Sequence, residues 1–321
     1  MENMKDKIIR KSGDAIRRFD DGRCSVTLRV SPYADKQVAE VIDTVYYKKG
    51  YRVPYHYSDR GSETFLILKG KVEVILYGKS CECEAGDYIN IPSHCPYGLE
   101  TLEDGCEIRG IFTDINIASR YTDLELLRKN ASSGGAGADN PSEAFNAEHH
   151  YFALTEPVDV VKTDKKSLPQ ITPKNSAIYE YGGWKGIRCL LKVGRWNLKR
   201  VKEIWEFTID KGCQLQYSKP NANERLYAVQ SGRVKIDVFG ETLFADENDL
   251  IHIPPYTRYT ITAMADKTVI QDLNVSSRLF RMLEMLQLAQ RDEPEKPADA
   301  EWMKWLLELN ECNLTGFVLT A

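Results

Sequence analysis

Alternating apolar and polar positions dominate this chain and predict a protein built mainly of short β-strands. Thr64-Phe-Leu-Ile-Leu68 and Val72-Glu-Val-Ile-Leu-Tyr77 flank Lys69-Gly70, which reads as two strands around a turn. Arg225-Leu-Tyr-Ala-Val229 and Val234-Lys-Ile-Asp-Val-Phe239 repeat the arrangement around Ser231-Gly232. Tyr88-Ile-Asn-Ile91 and Leu250-Ile-His-Ile253 are short strands ended by proline, which has no N–H to give to a ladder. Helical spacing of apolar residues appears at 118–130, 276–290 and 299–312, the last with Asp299 as its cap. Many short strands with closely spaced turns predict sandwiches or barrels.

The strand pattern is duplicated. Gly50, Gly70, Gly78, Asp87, Ile89, Ile91, Pro92 and Tyr97 match Gly212, Gly232, Gly240, Asp249, Ile251, Ile253, Pro254 and Tyr259, always 162 positions apart. A second match, Asp114-Ile-Asn-Ile-Ala-Ser-Arg120 with Asp272-Leu-Asn-Val-Ser-Ser-Arg278, has an offset of 158, which predicts a loop after Tyr259 four residues shorter than the one after Tyr97. A fixed register over so many positions marks an internal repeat. The boundaries read from it are a first barrel at 1–130, a linker and interdomain segment at 131–175 containing Ala131-Ser-Ser-Gly-Gly-Ala-Gly-Ala138, a second barrel at 176–290, and a C-terminal helix and tail at 291–321.

Composition excludes some function classes. With 321 residues, 42% of them hydrophobic, the chain can bury two cores. A formal net charge of -4 gives no basic footprint for nucleic acid and no polybasic patch for a membrane. The charged start MENMKDKIIRKSGDAIRRF has no apolar stretch, and no run long enough to cross a bilayer occurs, so a cytoplasmic protein is expected. Eight cysteines without a CxxC pair fit a reducing compartment, with Cys81 and Cys83 as buried strand thiols.

The repeat resembles the cupin superfamily. In its first motif a glycine is followed by two histidines, a glutamate and a glycine; here Gly50, His56, Glu63 and Gly70 fit, with Ser58 at the second histidine. In its second motif Gly86 and Pro92 fit, but Tyr97 stands where a histidine belongs. The resemblance implies a mainly β fold of two cupin barrels (double-stranded β-helix, jelly-roll) with a few flanking helices. It also implies that the ligand positions point into the barrel toward one divalent metal. His56 and Glu63 are then metal ligands, with His94 in the neighbouring turn as the replacement ligand. Glu63, His94 and Tyr97 are the candidate catalytic residues, with Tyr55, Tyr57 and Phe65 as further aromatic walls. His149 and His150 read as a solvated pair with the alternative of a lid. The second copy has Ser218, Pro220, Arg225 and Tyr259 at the ligand positions, so no metal is expected there and Arg225 is expected in a structural ion pair.

Such a site favours an enzyme using one divalent ion (Mn, Fe or Zn) without redox chemistry. Hydrolysis, isomerisation or ring opening of a small keto or hydroxylated substrate, such as a cyclic diketone or keto-sugar, suits it. The alternatives are an iron dioxygenase acting on a catechol-like compound and a non-catalytic small-ligand-binding bicupin. A homodimer is expected from cupin relatives, with the apolar helix 299–312 packing on its own barrel or on a second subunit.

Overall fold

A computed structural model describes residues 8–31, 39–113, 115–131, 141–184, 186–194, 203–217, 224–273 and 279–309. Among them are two compact units. One is Ala15–Ser176; the other comprises Ala177–Gly194, the stretch from Val201 onward and the residues up to Asp14. Each unit is a pair of β-sheets around an apolar core.

In the first unit a six-stranded sheet runs in the order Tyr151–Ala153, Arg52–Ser58, Tyr97–Thr101, Lys71–Leu76, Lys79–Glu84, Val161–Lys162. Its companion has seven strands: Ile171–Thr172, Tyr88–Pro92, Ser62–Lys69, Cys106–Thr113, Ala39–Tyr46, Cys24–Val30, Arg17–Asp20. The two-residue period of a strand decides what is inside. Val72, Val74 and Leu76 are buried while Lys71 is exposed. Cys81 and Cys83 are both buried free thiols on one side of their strand, with Glu82 exposed between them.

The second unit repeats the plan. A seven-stranded sheet (Ile9–Arg10, Leu250–Ile253, Arg225–Ser231, Thr268–Asp272, Ile204–Ile209, Ile187–Val193, Tyr179–Trp184) accompanies a four-stranded one (Gln214–Tyr217, Tyr259–Ala263, Arg233–Val238, Glu241–Asp246). Trp205, Phe207, Tyr227, Ile236 and Ile261 fill its interior. Helix Leu279–Asp292 adds Leu279, Met282, Leu283 and Leu286 to this core. Helix Ala300–Leu309 adds Met303 and Leu306, and Asp299 caps it by accepting from the N–H groups of Glu301 and Trp302. No described helix is long and apolar enough to cross a membrane.

The repeat reaches further than its motifs. Gly70 and Gly232 take left-handed backbone, φ 79° and 83°, and a Cβ on either would meet Cys106 Sγ at 2.6 Å or Thr268 Oγ1 at 2.7 Å, so only glycine fits. Gly70 and Cys106 stand in the same register as Gly232 and Thr268, so the connections after Tyr97 and Tyr259 are equally long. This corrects the expected four-residue deletion there: ladder register keeps the 162 offset, and the second copy ends its last strand at Asp272 after five residues where the first has eight.

Each barrel also incorporates a strand that precedes the other copy in sequence. Ile9 pairs with Ile251, and Ile171 pairs with Ile89, again 162 apart. One buried aspartate fastens each strand. Asp249 accepts from the backbone N–H of Asp246 (2.8 Å) and Ser12 (2.9 Å) and from Lys11 Nζ (2.7 Å). Asp87 accepts from the N–H of Glu84 (2.9 Å) and Lys174 (2.9 Å) and from Lys165 Nζ (2.6 Å). Losing such charge-assisted bonds costs about 2–3 kcal/mol. Asp249→Ala is therefore expected to speed amide hydrogen exchange at residues 9–12 by about 30- to 160-fold while leaving residues 171–174 protected. Equal protection in wild type and variant would refute this clamp.

Candidate active site in the first barrel

The facing sheets of the first barrel enclose a cavity of about 110 Å³. That approaches the roughly 150 Å³ of an engineered cavity that takes up benzene, so the space suits a molecule of a few heavy atoms. His56 and Tyr97 are directly opposed on neighbouring strands of the six-stranded sheet, and both face inward. Glu63 and Phe65 come from the facing sheet, two residues apart on Ser62–Lys69, with Phe112 opposite Glu63 on the adjacent strand. A hydrogen bond joins the two sheets: the Tyr97 hydroxyl donates to Glu63 Oε2 at 2.5 Å.

Burial governs the protonation of this group. It raises the Tyr97 phenol well above its ordinary value, and the neighbouring Glu63 charge and hydrogen bond raise it further, so Tyr97 keeps its proton. Burial also depresses His56 to about 4; its hydrogen bond to a backbone carbonyl opposes the shift and the Arg120 charge adds to it. His56 is therefore neutral at pH 7. Its Nδ1 lies 2.7 Å from the Pro54 carbonyl, which makes Nδ1 the protonated nitrogen and leaves the lone pair on Nε2. The imidazole is wedged between Tyr151 and Tyr97, with centroids 4.1 and 4.4 Å away.

The remaining predicted residues divide between the cavity and its outside. His94 lies outside the cavity lining. It occupies a left-handed turn position, φ 62°, matched by Tyr256 at φ 60° in the other copy, and its side chain is exposed beside Tyr57. Phe65 lines the cavity, but Tyr55 and Tyr57 do not, because they alternate with His56 and Ser58 along one strand. The Ser58 hydroxyl is held by the Arg60 carbonyl at 2.8 Å. His149 and His150 both line the cavity rather than forming a solvated pair. His149 Nε2 is 3.2 Å from Asp123, and His150 Nδ1 is 2.9 Å from Asp59. Arg120, Tyr121 and Tyr151 also line it and were not singled out from sequence as site residues; Arg120 closes the duplicated 114–120 motif.

Residues 44–112 match the cupin domain family. Similar solved structures include oxalate decarboxylases. A deletion mutant from Bacillus subtilis gives a TM-score of 0.54 at 14% identity, covering 84% of this chain and 76% of that one. A tryptophan-to-phenylalanine variant of the same enzyme gives 0.55 at 13%, covering 97% and 88%. The Lactobacillus farciminis enzyme in its formate complex gives 0.54 at 14%, covering 89% and 93%.

The fold is that of a bicupin.

At these identities the likeness carries the fold, while decarboxylation of oxalate is a property of those enzymes. No curated protein matches the chain. Whether the bicupin's first barrel suits a resident metal is a question of donors. His56 is oriented as a metal-binding histidine is, with one nitrogen on a carbonyl and the other available. Yet among the described residues no group of three or more His, Cys, Asp or Glu side chains is placed to hold one ion, so the set His56, Glu63 and His94 is not assembled. Catalytic centres commonly use three protein ligands. The donor set does not fit a permanently held ion.

In the second barrel Ser218 and Pro220 lie outside the described residues. Arg225, at the glutamate position, has its Nη1 3.9 Å from buried Asp272, and the Tyr259 and Tyr227 hydroxyls are 2.6 Å apart. His252 is mostly buried, with Nε2 3.6 Å from Glu224.

Proposed function

We propose that the first barrel is the active site of a small-molecule enzyme that works by moving a proton, without redox chemistry. The reading is carried by the 2.5 Å Tyr97–Glu63 hydrogen bond on the wall of a ligand-sized cavity. A ketone or hydroxyketone oxygen entering the cavity takes over the Tyr97 hydrogen bond, which polarises the carbonyl and releases Glu63 Oε2. Glu63 then removes the proton from the adjacent carbon and returns it to the neighbouring carbon or oxygen. Neutral His56 accepts a substrate hydroxyl at Nε2. Isomerisation of a keto-sugar or enolisation of a cyclic diketone has this form, and it needs no oxidant.

A second reading has one observation in its favour, the Nδ1–carbonyl contact of His56. Here His56 and Glu63 hold a divalent ion whose other positions are filled by a chelating substrate. One experiment separates the two. Wild type, Glu63→Gln and His56→Ala are incubated with Mn²⁺, Fe²⁺ and Zn²⁺, desalted and analysed for metal. Each protein is then tested in D₂O for α-proton exchange of keto-sugars and cyclic diketones. The proton-transfer reading expects no stoichiometric metal and an exchange rate falling about 10²- to 10⁴-fold in Glu63→Gln. One ion per chain, lost in His56→Ala, would establish the metal reading. Binding without exchange would leave a ligand-binding module.

A further inference from the structure

Among the described residues, Arg120 is the one arginine or lysine that lines the first-barrel cavity. It projects from helix Ile117–Ala131 and also lines a larger neighbouring chamber of about 520 Å³ in the same unit. Its guanidinium carbon lies over the Tyr151 ring, 4.1 Å from the centroid. Among the described residues it makes a single hydrogen bond, from Nη2 to Asn146 Oδ1 at 3.3 Å, and no ion pair; its buried Nε–H has no partner.

The buried arginines of the protein, by contrast, stand beside carboxylates. Arg29 and Arg109 share Asp43, and Arg225 lies beside Asp272. Glu63, which lines the same cavity, is engaged by Tyr97, and Asp123 and Asp59 face His149 and His150. A buried N–H without an acceptor costs about 1–3 kcal/mol, which an incoming anion removes. The planar guanidinium suits the two oxygens of a carboxylate, and stacking on Tyr151 pre-orients it.

We infer that Arg120 is the substrate-anchoring residue of this site and selects a small keto- or hydroxy-carboxylate. The carboxylate rests on the guanidinium and the keto or hydroxyl oxygen reaches Tyr97, Glu63 and His56. This rests on the small-molecule reading above and adds the charge of the substrate. It also gives a task to the arginine that ends the duplicated motif.

The test compares pyruvate with hydroxyacetone and glycolate with ethylene glycol. Affinity is read by calorimetry, and occupancy of the cavity by the ring resonances of His56. Wild type is expected to bind the two carboxylates and shift the His56 signals, with the neutral partners at least tenfold weaker. Arg120→Met is expected to weaken the carboxylates about 10- to 100-fold and leave the neutral compounds unchanged, with Arg120→Lys between them. Neutral compounds that shift His56 as strongly as the carboxylates, in wild type and Arg120→Met alike, would overturn the anchor and keep the small-molecule site. Carboxylates that bind without moving His56 would overturn the anchor as well. If none of the four binds, while keto-sugars or diketones do, the carboxylate assignment falls alone; if nothing perturbs His56, both readings fall.

Discussion

Replacing Asp43 by alanine is expected to lower the stability of the first barrel by about 3–5 kcal/mol. Asp43 takes Arg109 as a bidentate partner, from Nε at 2.7 Å and Nη2 at 2.9 Å, and Arg29 Nη1 at 2.9 Å. Both arginine side chains are only 2% exposed. Burial alone would raise the carboxyl, but the Arg109 and Arg29 charges and hydrogen bonds hold it below its ordinary value. Removing it leaves two buried cations without the carboxylate they share, the costly way to break a buried pair. Thermal melting of the first barrel should shift down by roughly 10 °C, and urea midpoints should agree. Replacing all three residues with apolar side chains of similar volume should recover much of the loss. A penalty under about 1 kcal/mol for Asp43→Ala would mean that water or neighbouring groups replace the carboxylate.

The second expectation concerns pH. Glu40 is fully buried, and burial pushes its carboxyl up to about 7, opposed by hydrogen bonds from the N–H groups of Ala118 and Ile117 at the start of the helix bearing Arg120. Its folded pKa exceeds the ordinary 4.5, so its contribution is complete below pH 4.5 and is lost as pH rises through 7. His56 has the opposite sign. Depressed from 6.5 to about 4, it stabilises fully above pH 6.5, and this is lost as pH falls through 4. Each effect is on the order of 3 kcal/mol. Between pH 4.5 and 6.5 they oppose one another, so these two groups together give wild type a nearly flat profile. Glu40→Gln removes one arm and should make stability climb with pH across that window. His56→Phe removes the other and should make it decline from pH 4.5 to 7. Parallel profiles for wild type and both variants, from urea midpoints at each pH, would show that neither group titrates as its burial dictates.

The parts of this molecule that were legible in sequence are those written into local patterns. Strand alternation and the paired turn glycines gave the two β units, because left-handed turns and buried faces demand particular residues. The motif spacing of His56, Glu63 and Tyr97 was enough to bring them to one cavity. His94 misled because proximity along the chain is not proximity in a barrel; a left-handed turn carries its side chain outward. Tyr55 and Tyr57 fell to the opposite face of a strand whose period already excluded them. Arg120, Tyr121 and Tyr151 were hidden for another reason. They reach the cavity through a helix and an added strand, and no local pattern encodes that packing.

The exchanged strands have a consequence for how the chain is made. The first barrel cannot close when its own repeat has been synthesised; it waits for Ile171, well past the segment that follows its last strand. Residues 9–12 stay without their partners until Ile251 emerges some 240 residues later. A disturbance at residues 9–12 would therefore be felt in the second barrel and not in the first. Separating the copies at the middle of the sequence would yield two fragments, each lacking the strand that the other carries.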